Sequence, residues 1–310
     1  MEDKFKINKI LVSLDLSEMD EVLIRFACYT AKMMKSERVY FTHISTSLDM
    51  PKELQEKWGE LMAPVDEKIL HNIGQQVDAL FEKVKDCETV LEVHEGNPTD
   101  KLLKLAQQKD VDLLVLGHKA GLKGSGAVPM KVVKAANRSV LLVPELLPKK
   151  MDKILVAVDF SEHSLRALKQ ALRVQENSQI PLEVKCQHVY SLPSGWHTTG
   201  KSEKEFADIM CQHARSDYQK FLKKLPEHYQ DLPCVFTLDN NHDPVKEIFD
   251  QAVREQADLV VMGSKGKSAA AAALMGSVAE RFAEHNRSIP LLIVKDKNEN
   301  IGFLQALFRL

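Results

Sequence analysis

A glycine-rich stretch near the end of the chain is the strongest candidate for binding chemistry. It begins at Gly263, directly after the apolar run DLVVM, and continues to Gly266, Gly276 and Ser277 with the spacing G-x2-G-x9-G-S. Glycine lets a backbone approach an anion closely, and the free amides at a helix start attract phosphate. The spacing predicts a phosphate-binding loop, although glycines at a strand end and a helix start also serve as simple turn residues.

The segment GSKGKS inside this stretch resembles the phosphate loop of nucleotide hydrolases but lacks one of its residues. A Walker A loop has the pattern G-x4-G-K-[ST], so the residues Gly266–Ser268 require a glycine at position 261. That position holds Val261, which excludes this type of loop. We expect Ala269–Ala273 to form a small-residue arch or a weak helix over the phosphates. Lys265 and Lys267 can screen phosphate charge, but we expect them to be solvated.

The other reactive side chains form no set that supports catalysis or tight metal binding. Cys211 and His213 are two residues apart on a predicted helix, so they diverge by about 200°. Cys186 and His188 lie on a strand inside a buried sheet, which disfavours a zinc site. The sequence contains no SGGxDS, HIGH or KMSKS motif, and scattered residues give no Ser/His/Asp triad. We therefore predict neither a metal site nor a catalytic residue.

The sequence contains two copies of one domain. Three segments recur in the same order and at nearly constant spacing: KINKILVSLDLSE as KMDKILVAVDFSE, VDLLVLGHK as ADLVVMGSK, and NRSVLLV as NRSIPLLIV. Self-similarity of this kind identifies a duplicated unit. We predict domains at 1–147 and 150–296, followed by an amphipathic tail at 297–310.

Apolar strand-like runs alternate with amphipathic helical patterns in each copy. In the second copy, five Val/Ile/Leu-rich runs are separated by segments with helical periodicity, such as Leu165, Leu168 and Leu172 after the potential cap Ser161. Apolar strands with intervening helices are typical of a parallel sheet covered on both faces. We predict an α/β fold with two doubly wound, Rossmann-like domains in tandem, each built on a five-stranded parallel sheet. Ligands bind such sheets beyond the carboxyl ends of the strands, where Gly263 lies.

The glycine motif after a strand, together with KILVAVDFSE at the domain start, resembles the universal stress protein family. The duplication resembles the tandem members of that family, and the resemblance spans both copies. It implies a stress-response regulatory protein that binds ATP or another adenine nucleotide, with or without Mg²⁺. ATP-binding members place the adenine and ribose near an aspartate that ends strand one and near the end of strand two.

The resemblance assigns roles to six residues of the second copy. It places Asp159 on the ribose and adenine side and Val189 in the base pocket. Asp159 also has a purely structural interpretation, as a cap for the helix that begins near Ser161. The phosphates are assigned to the loop and helix start: Gly263, Gly266, Gly276 and Ser277.

The first copy departs from the glycine motif. Ala120 stands at the second glycine position, and alignment on the shared NRS places Ala127 and Val128 opposite the final Gly-Ser pair. Gly124–Gly126 can replace that pair only in a shorter loop. We expect the second domain to bind nucleotide and the first to bind it weakly or not at all.

Composition and charge favour an ordinary globular protein. Hydrophobic residues make up 44% and charged residues 28% of the sequence, with a net charge of -2. This balance disfavours a nucleic-acid partner, which requires a basic surface. No apolar run reaches the roughly 18 residues that span a bilayer, and the charged start MEDKFKINK does not resemble a secretion signal. The five cysteines contain no C-x-x-C pair. We expect a cytoplasmic location.

Two functions and one mode of assembly follow as expectations. The protein is either a nucleotide-binding regulatory module with slow ATP hydrolysis at most, or a nucleotide-independent scaffold whose glycines are structural. The two domains are expected to pair through their uncharged final strands, VLLV and PLLIV, as an intramolecular pseudo-dimer. A homodimer of whole chains stays open. The tail carries Ile301, Leu304, Leu307 and Phe308 at helical spacing, which predicts a helix docked on its own protein or a docking segment for a partner.

Overall fold

The computed structural model describes residues 6–49, 64–120, 127–148, 151–178, 180–267 and 275–297. The chain divides into two compact units, Met1–Leu147 and Pro148–Leu310. Three sequence predictions lie outside the described residues: the arch at Ala269–Ala273, the substitute loop at Gly124–Gly126 and the tail beyond Lys297.

The first unit is a five-stranded parallel sheet with helices between the strands. Its described elements are β1 (Lys9–Leu14), α1 (Met19–Met34), β2 (Arg38–Ser45), α2 (Val65–Leu80), β3 (Glu88–Glu95), α3 (Pro98–Gln108), β4 (Leu113–His118), α4 (Ala127–Ala135) and β5 (Ser139–Pro144). The strand order is β3-β2-β1-β4-β5, and all neighbouring strands run parallel. The order reverses between β1 and β4, which makes the sheet doubly wound.

The second unit repeats this architecture. Its described elements are β6 (Lys153–Ala157), α5 (Glu162–Asn177), β7 (Glu183–Tyr190), α6 (Glu203–Leu222), β8 (Cys234–Leu238), α7 (Pro244–Glu255), β9 (Leu259–Gly263), α8 (Ser277–His285) and β10 (Leu291–Val294). The parallel strands follow the order β10-β9-β6-β7-β8. The predicted fold, two doubly wound five-stranded α/β units, is confirmed.

Local sequence explains why these elements form where they do. The central strands are apolar throughout, and Val156, Val261 and Ile293 are fully buried between the helical layers. Ser161 caps α5, because its Oγ accepts a hydrogen bond from the Ser164 amide at 3.2 Å. Pro244 is the first residue of α7, a position that suits its fixed φ and its missing N–H group.

The strand reversal of the second unit determines where a ligand fits. Strand β6 pairs with β7 on one side and with β9 on the other, so the connections that follow β6 and β9 leave toward opposite faces of the sheet. Helix α8 begins at Ser277 with Gly276 at its N-cap, as predicted. Among the described helices of both units, none is long and apolar enough to cross a membrane.

Candidate nucleotide-binding site

A cavity of about 610 Å³ opens at the carboxyl ends of β6, β7 and β9 in the second unit. Its size is that of a small-molecule site, and it lies at the strand reversal where such sheets bind ligands. All six residues assigned from the sequence line this cavity: Asp159, Val189, Gly263, Gly266, Gly276 and Ser277. The structure brings the predicted set together in one concave surface.

Asp159 joins the start of α5 to the glycine loop. Its Oδ1 accepts hydrogen bonds from the backbone amide of Ser161 at 3.1 Å and from the Ser161 hydroxyl at 2.6 Å. Its Oδ2 accepts a hydrogen bond from the Lys267 amide at 2.7 Å. Asp159 is not the helix cap, because that position is taken by Ser161; its carboxylate instead holds Ser161 and the glycine loop in place. Its role toward a ribose stays a prediction.

Two glycines allow the loop to pack beneath the start of α8. A Cβ at Gly266 would lie 2.8 Å from the Asp159 Oδ2, and a Cβ at Gly276 would lie 3.3 Å from the Gly266 nitrogen. The Gly276 amide donates a hydrogen bond to the Ser264 carbonyl at 2.7 Å. Because this amide already serves the loop, the donors that a helix start offers to a phosphate are the amides that follow it.

Gly263 has a packing reason of its own. A Cβ at this position would lie 2.7 Å from the carbonyl carbon of His163, in the first turn of α5. At the corresponding Gly117 of the first unit, an added Cβ would lie 2.7 Å from the Cγ of the Met19 side chain, in the first turn of α1. The glycine shared by both copies thus permits close packing of the helix on the strand end, whether or not a phosphate binds nearby.

An aromatic pair borders the site and was not predicted from the sequence. Phe160 has a φ of +66°, an unusual conformation for a bulky residue, and its ring stacks on His188 with centroids 4.1 Å apart. The His188 Nδ1 lies 2.8 Å from the Val158 carbonyl oxygen, and burial lowers the pKa of this imidazole. The order Asp-Phe-Ser in the sequence carries no signal for this stacking, because its partner comes from another strand.

The two lysines of the glycine loop, Lys265 and Lys267, differ in their exposure to solvent. Lys267 is exposed, as expected, and its Nζ lies 5.1 Å from the Phe160 ring centroid. The expectation of a solvated Lys265 is wrong, because this residue is only 6% exposed and lines the cavity. A lysine in the wall of this cavity favours an anionic ligand.

The matching cavity of the first unit is smaller, at about 190 Å³. Asp15 stands in the position of Asp159, but it forms an ion pair with Lys119 and accepts a hydrogen bond from the Ser17 hydroxyl at 2.5 Å. The Met19 side chain also lines this cavity. Weak or absent nucleotide binding in this unit stays a prediction.

A buried carboxyl group further distinguishes the first unit. Asp20 is 1% exposed and accepts hydrogen bonds from the amides of Asp15 and Leu16, both at 2.9 Å. Burial raises the pKa of this carboxyl group to about 6. The corresponding residue of the second unit, Ser164, is uncharged and lines the large cavity. The first unit therefore has a buried carboxyl group where the second has a neutral hydroxyl group.

The cysteine and histidine side chains considered for zinc form no metal-binding cluster among the described residues. Within the described ranges, no group of three or more His, Cys, Asp or Glu side chains is placed to hold a metal ion. Cys186 is fully buried, and burial raises the pKa of its thiol to about 12, which disfavours the thiolate that zinc requires.

The universal stress protein family model matches this sequence twice, at residues 6–144 and 150–295. The chain belongs to the universal stress protein family. Universal stress protein MJ0531 of Methanocaldococcus jannaschii is 29% identical over 143 residues, which are 46% of this chain and 81% of that protein. The two matches account for the tandem repeat.

Solved structures that cover both units share the fold. A universal stress protein from Archaeoglobus fulgidus has a TM-score of 0.57 at 19% identity, covering 95% of this chain and 98% of that one. The functionally unknown protein PA1789 of Pseudomonas aeruginosa has a TM-score of 0.65 at 14% identity, covering 99% of each chain. At these identities the similarity shows the fold alone.

Proposed function

We propose that the second unit binds ATP or another adenine nucleotide and that the protein acts as a nucleotide-dependent regulator in a stress response. The observation that carries this proposal is the cavity of about 610 Å³, which combines the loop-ordering Asp159 with the glycine loop and the start of a nine-residue helix. Two other universal stress protein structures are complexes with cAMP and with dAMP. The proposal for this chain depends on its own cavity.

Each part of the cavity suits one part of a nucleotide. The first amides of α8 and the positive end of its dipole favour the phosphates, together with the hydroxyl of Ser277. Lys265, which is buried and lines the cavity, adds positive charge beside the loop. Asp159 lies on the proposed ribose side, and Val189, near the end of β7, contributes an apolar contact for the base.

A binding role is favoured over efficient catalysis. Two carboxylates stand among the described residues that line the cavity, and both accept hydrogen bonds from backbone amides. Asp159 accepts from Ser161 and Lys267, and Asp239 accepts from Asn241 at 3.2 Å and from Asp243 at 2.9 Å. A general base needs to reach the attacking water. We propose slow ATP hydrolysis at most.

A nucleotide-independent scaffold is the second candidate function. The observation in its favour is the glycine shared by both copies, because Gly263 and Gly117 each pack against the first turn of the helix that follows the first strand of their unit. In this alternative, the glycine pattern reflects the fold and not a ligand. Both candidates predict a folded chain, so only a binding measurement separates them.

Titration calorimetry with ATP tests the proposal on matched variants. Asp159→Asn replaces one carboxylate oxygen by an NH2 group, which cannot accept, so either the bonds to Ser161 or the bond from the Lys267 amide is lost and ATP affinity should fall at least about tenfold. Asp15→Asn is the matched control in the first unit and should leave ATP affinity unchanged. Circular dichroism checks that both variants fold. A wild-type chain without affinity for ATP would favour the scaffold.

A further inference from the structure

The ring of Phe160 lies beside the cavity of the second unit without forming part of its described wall. It packs against two elements of that unit, because its centroid lies 4.1 Å from that of His188 on β7 and 5.6 Å from that of Phe221 on α6. The residue has a φ of +66°, a conformation that a bulky side chain adopts only where its surroundings enforce it. These contacts give the ring a fixed position next to Asp159.

Lys267 of the glycine loop is held at two points by consecutive residues. Its backbone amide donates a hydrogen bond to the Asp159 Oδ2 at 2.7 Å, and its Nζ lies 5.1 Å from the Phe160 ring centroid. A cation within about 6 Å of the centre of an aromatic face is attracted by the ring. The main chain and the side chain of Lys267 therefore both connect the loop to the segment that follows β6.

The part of the loop held in this way packs beneath the start of α8. Gly266 directly precedes Lys267, and a Cβ at Gly276 would lie 3.3 Å from the Gly266 nitrogen. A displacement of Lys267 therefore moves the backbone that supports the first amides of α8, which are the proposed donors to a phosphate.

The first unit shares the backbone conformation of Phe160 but lacks its ring. Leu16 stands in the corresponding position, directly after Asp15, and its φ is +60°. The positive φ is thus a property of this turn in both units. Leu16 is 46% exposed, and an aliphatic side chain offers no aromatic face to a lysine. The ring, and with it the contact to Lys267, distinguishes the second unit.

We infer that Phe160 is a positioning residue for the glycine loop of the second unit: its ring holds the Lys267 side chain, and this contact keeps the loop in the conformation that binds phosphate. The inference rests on the proposed nucleotide binding of the same cavity. The competing explanation gives the two residues independent roles, with the Lys267 ammonium group bound directly to a phosphate and the Phe160 ring serving only the core. The two explanations differ in whether the effects of substituting the two residues add.

A double-mutant cycle on the full chain tests the inference, with ATP affinity measured by titration calorimetry. Phe160→Leu installs the residue of the first unit, and Lys267→Met removes the charge but keeps the backbone amide. Each single variant should lose about two- to fivefold in ATP affinity, and Lys267→Met should have no further effect in the Phe160→Leu background. Lys267→Arg, which keeps a cation over the ring, should stay within about twofold of the wild type. Leu16→Ala is the matched control in the first unit and should leave ATP affinity unchanged.

The background dependence of Lys267→Met decides between the two explanations. Equal losses in the wild-type and Phe160→Leu backgrounds would overturn the inference while leaving nucleotide binding intact, because Lys267 would then act independently of the ring. An unchanged ATP affinity in Lys267→Met would overturn it too. A wild type without affinity for ATP would contradict the proposed function, and the inference with it. Circular dichroism checks folding, and Phe160→Met, with a more flexible side chain, repeats the cycle if the leucine variant does not fold.

Discussion

Gly276→Asp should separate nucleotide binding from fold stability. Gly276 is the N-cap of α8, and aspartate is among the preferred residues at an N-cap. The new carboxylate would accept the first helical amides and occupy the donors proposed for a phosphate. Losing even one charge-assisted hydrogen bond costs about 1.5–3 kcal/mol, and the added negative charge increases the loss. ATP affinity should therefore fall by roughly tenfold or more.

The fold should tolerate this change. An added Cβ lies 3.3 Å from the Gly266 nitrogen and from the Lys265 Cα, so the loop must shift by a few tenths of an ångström. The new cap offsets that shift, and we expect the thermal midpoint to stay close to that of the wild type. Gly126→Asp, directly before α4 in the first unit, is the matched control and should leave ATP binding nearly untouched. Equal losses in titration calorimetry, or a larger loss from Gly126→Asp, would show that the site is assigned to the wrong unit.

Three further predictions concern packing, pH and assembly. Gly263→Ala should lower the free energy of unfolding in urea by about 1–3 kcal/mol, because the added Cβ meets the backbone of His163. Gly117→Ala should lower it less, because there the added Cβ meets the flexible side chain of Met19. Equal losses in the two variants would contradict this reasoning. Burial raises the pKa of Asp20 in the folded state to about 6, above its value of about 4 in the unfolded chain. The protonated carboxyl group therefore stabilises the fold fully below about pH 4, and this stabilisation is lost as the pH rises through 6. The unfolding free energy of the wild type minus that of Asp20→Ser should therefore fall by on the order of 2–3 kcal/mol between pH 4 and 7, and a pH-independent difference would refute the shift. Residues 1–147 and 150–296, expressed separately, should self-associate through their apolar final strands in light-scattering chromatography; soluble monomers would count against the predicted pseudo-dimer.

Local sequence patterns predicted the elements of this fold well. The five strand-like runs predicted in the second copy form its five parallel strands, as expected for apolar segments in a sheet that is covered on both faces. The positions of Ser161, Pro244 and Gly276 at helix starts follow from backbone geometry within a few residues. The glycine motif then located the cavity, because parallel strands place their carboxyl ends at one edge of the sheet.

Interactions between distant residues were beyond the reach of these patterns. The Phe160–His188 stack depends on side chains that meet across neighbouring elements. The burial of Asp20 depends on two amides that only the folded turn directs toward it. Glycine spacing also could not separate a phosphate contact from a packing need, and Gly263 is required for the latter.

The most direct test of nucleotide binding is mass spectrometry of the small molecules released when the gently purified chain is denatured. Adenine nucleotide should be recovered at close to one molecule per wild-type chain, as ATP, ADP or AMP, and Gly276→Asp should release far less. A wild-type chain that releases no nucleotide, and that shows no affinity for added ATP, would contradict the proposal that the second unit is a nucleotide-binding module.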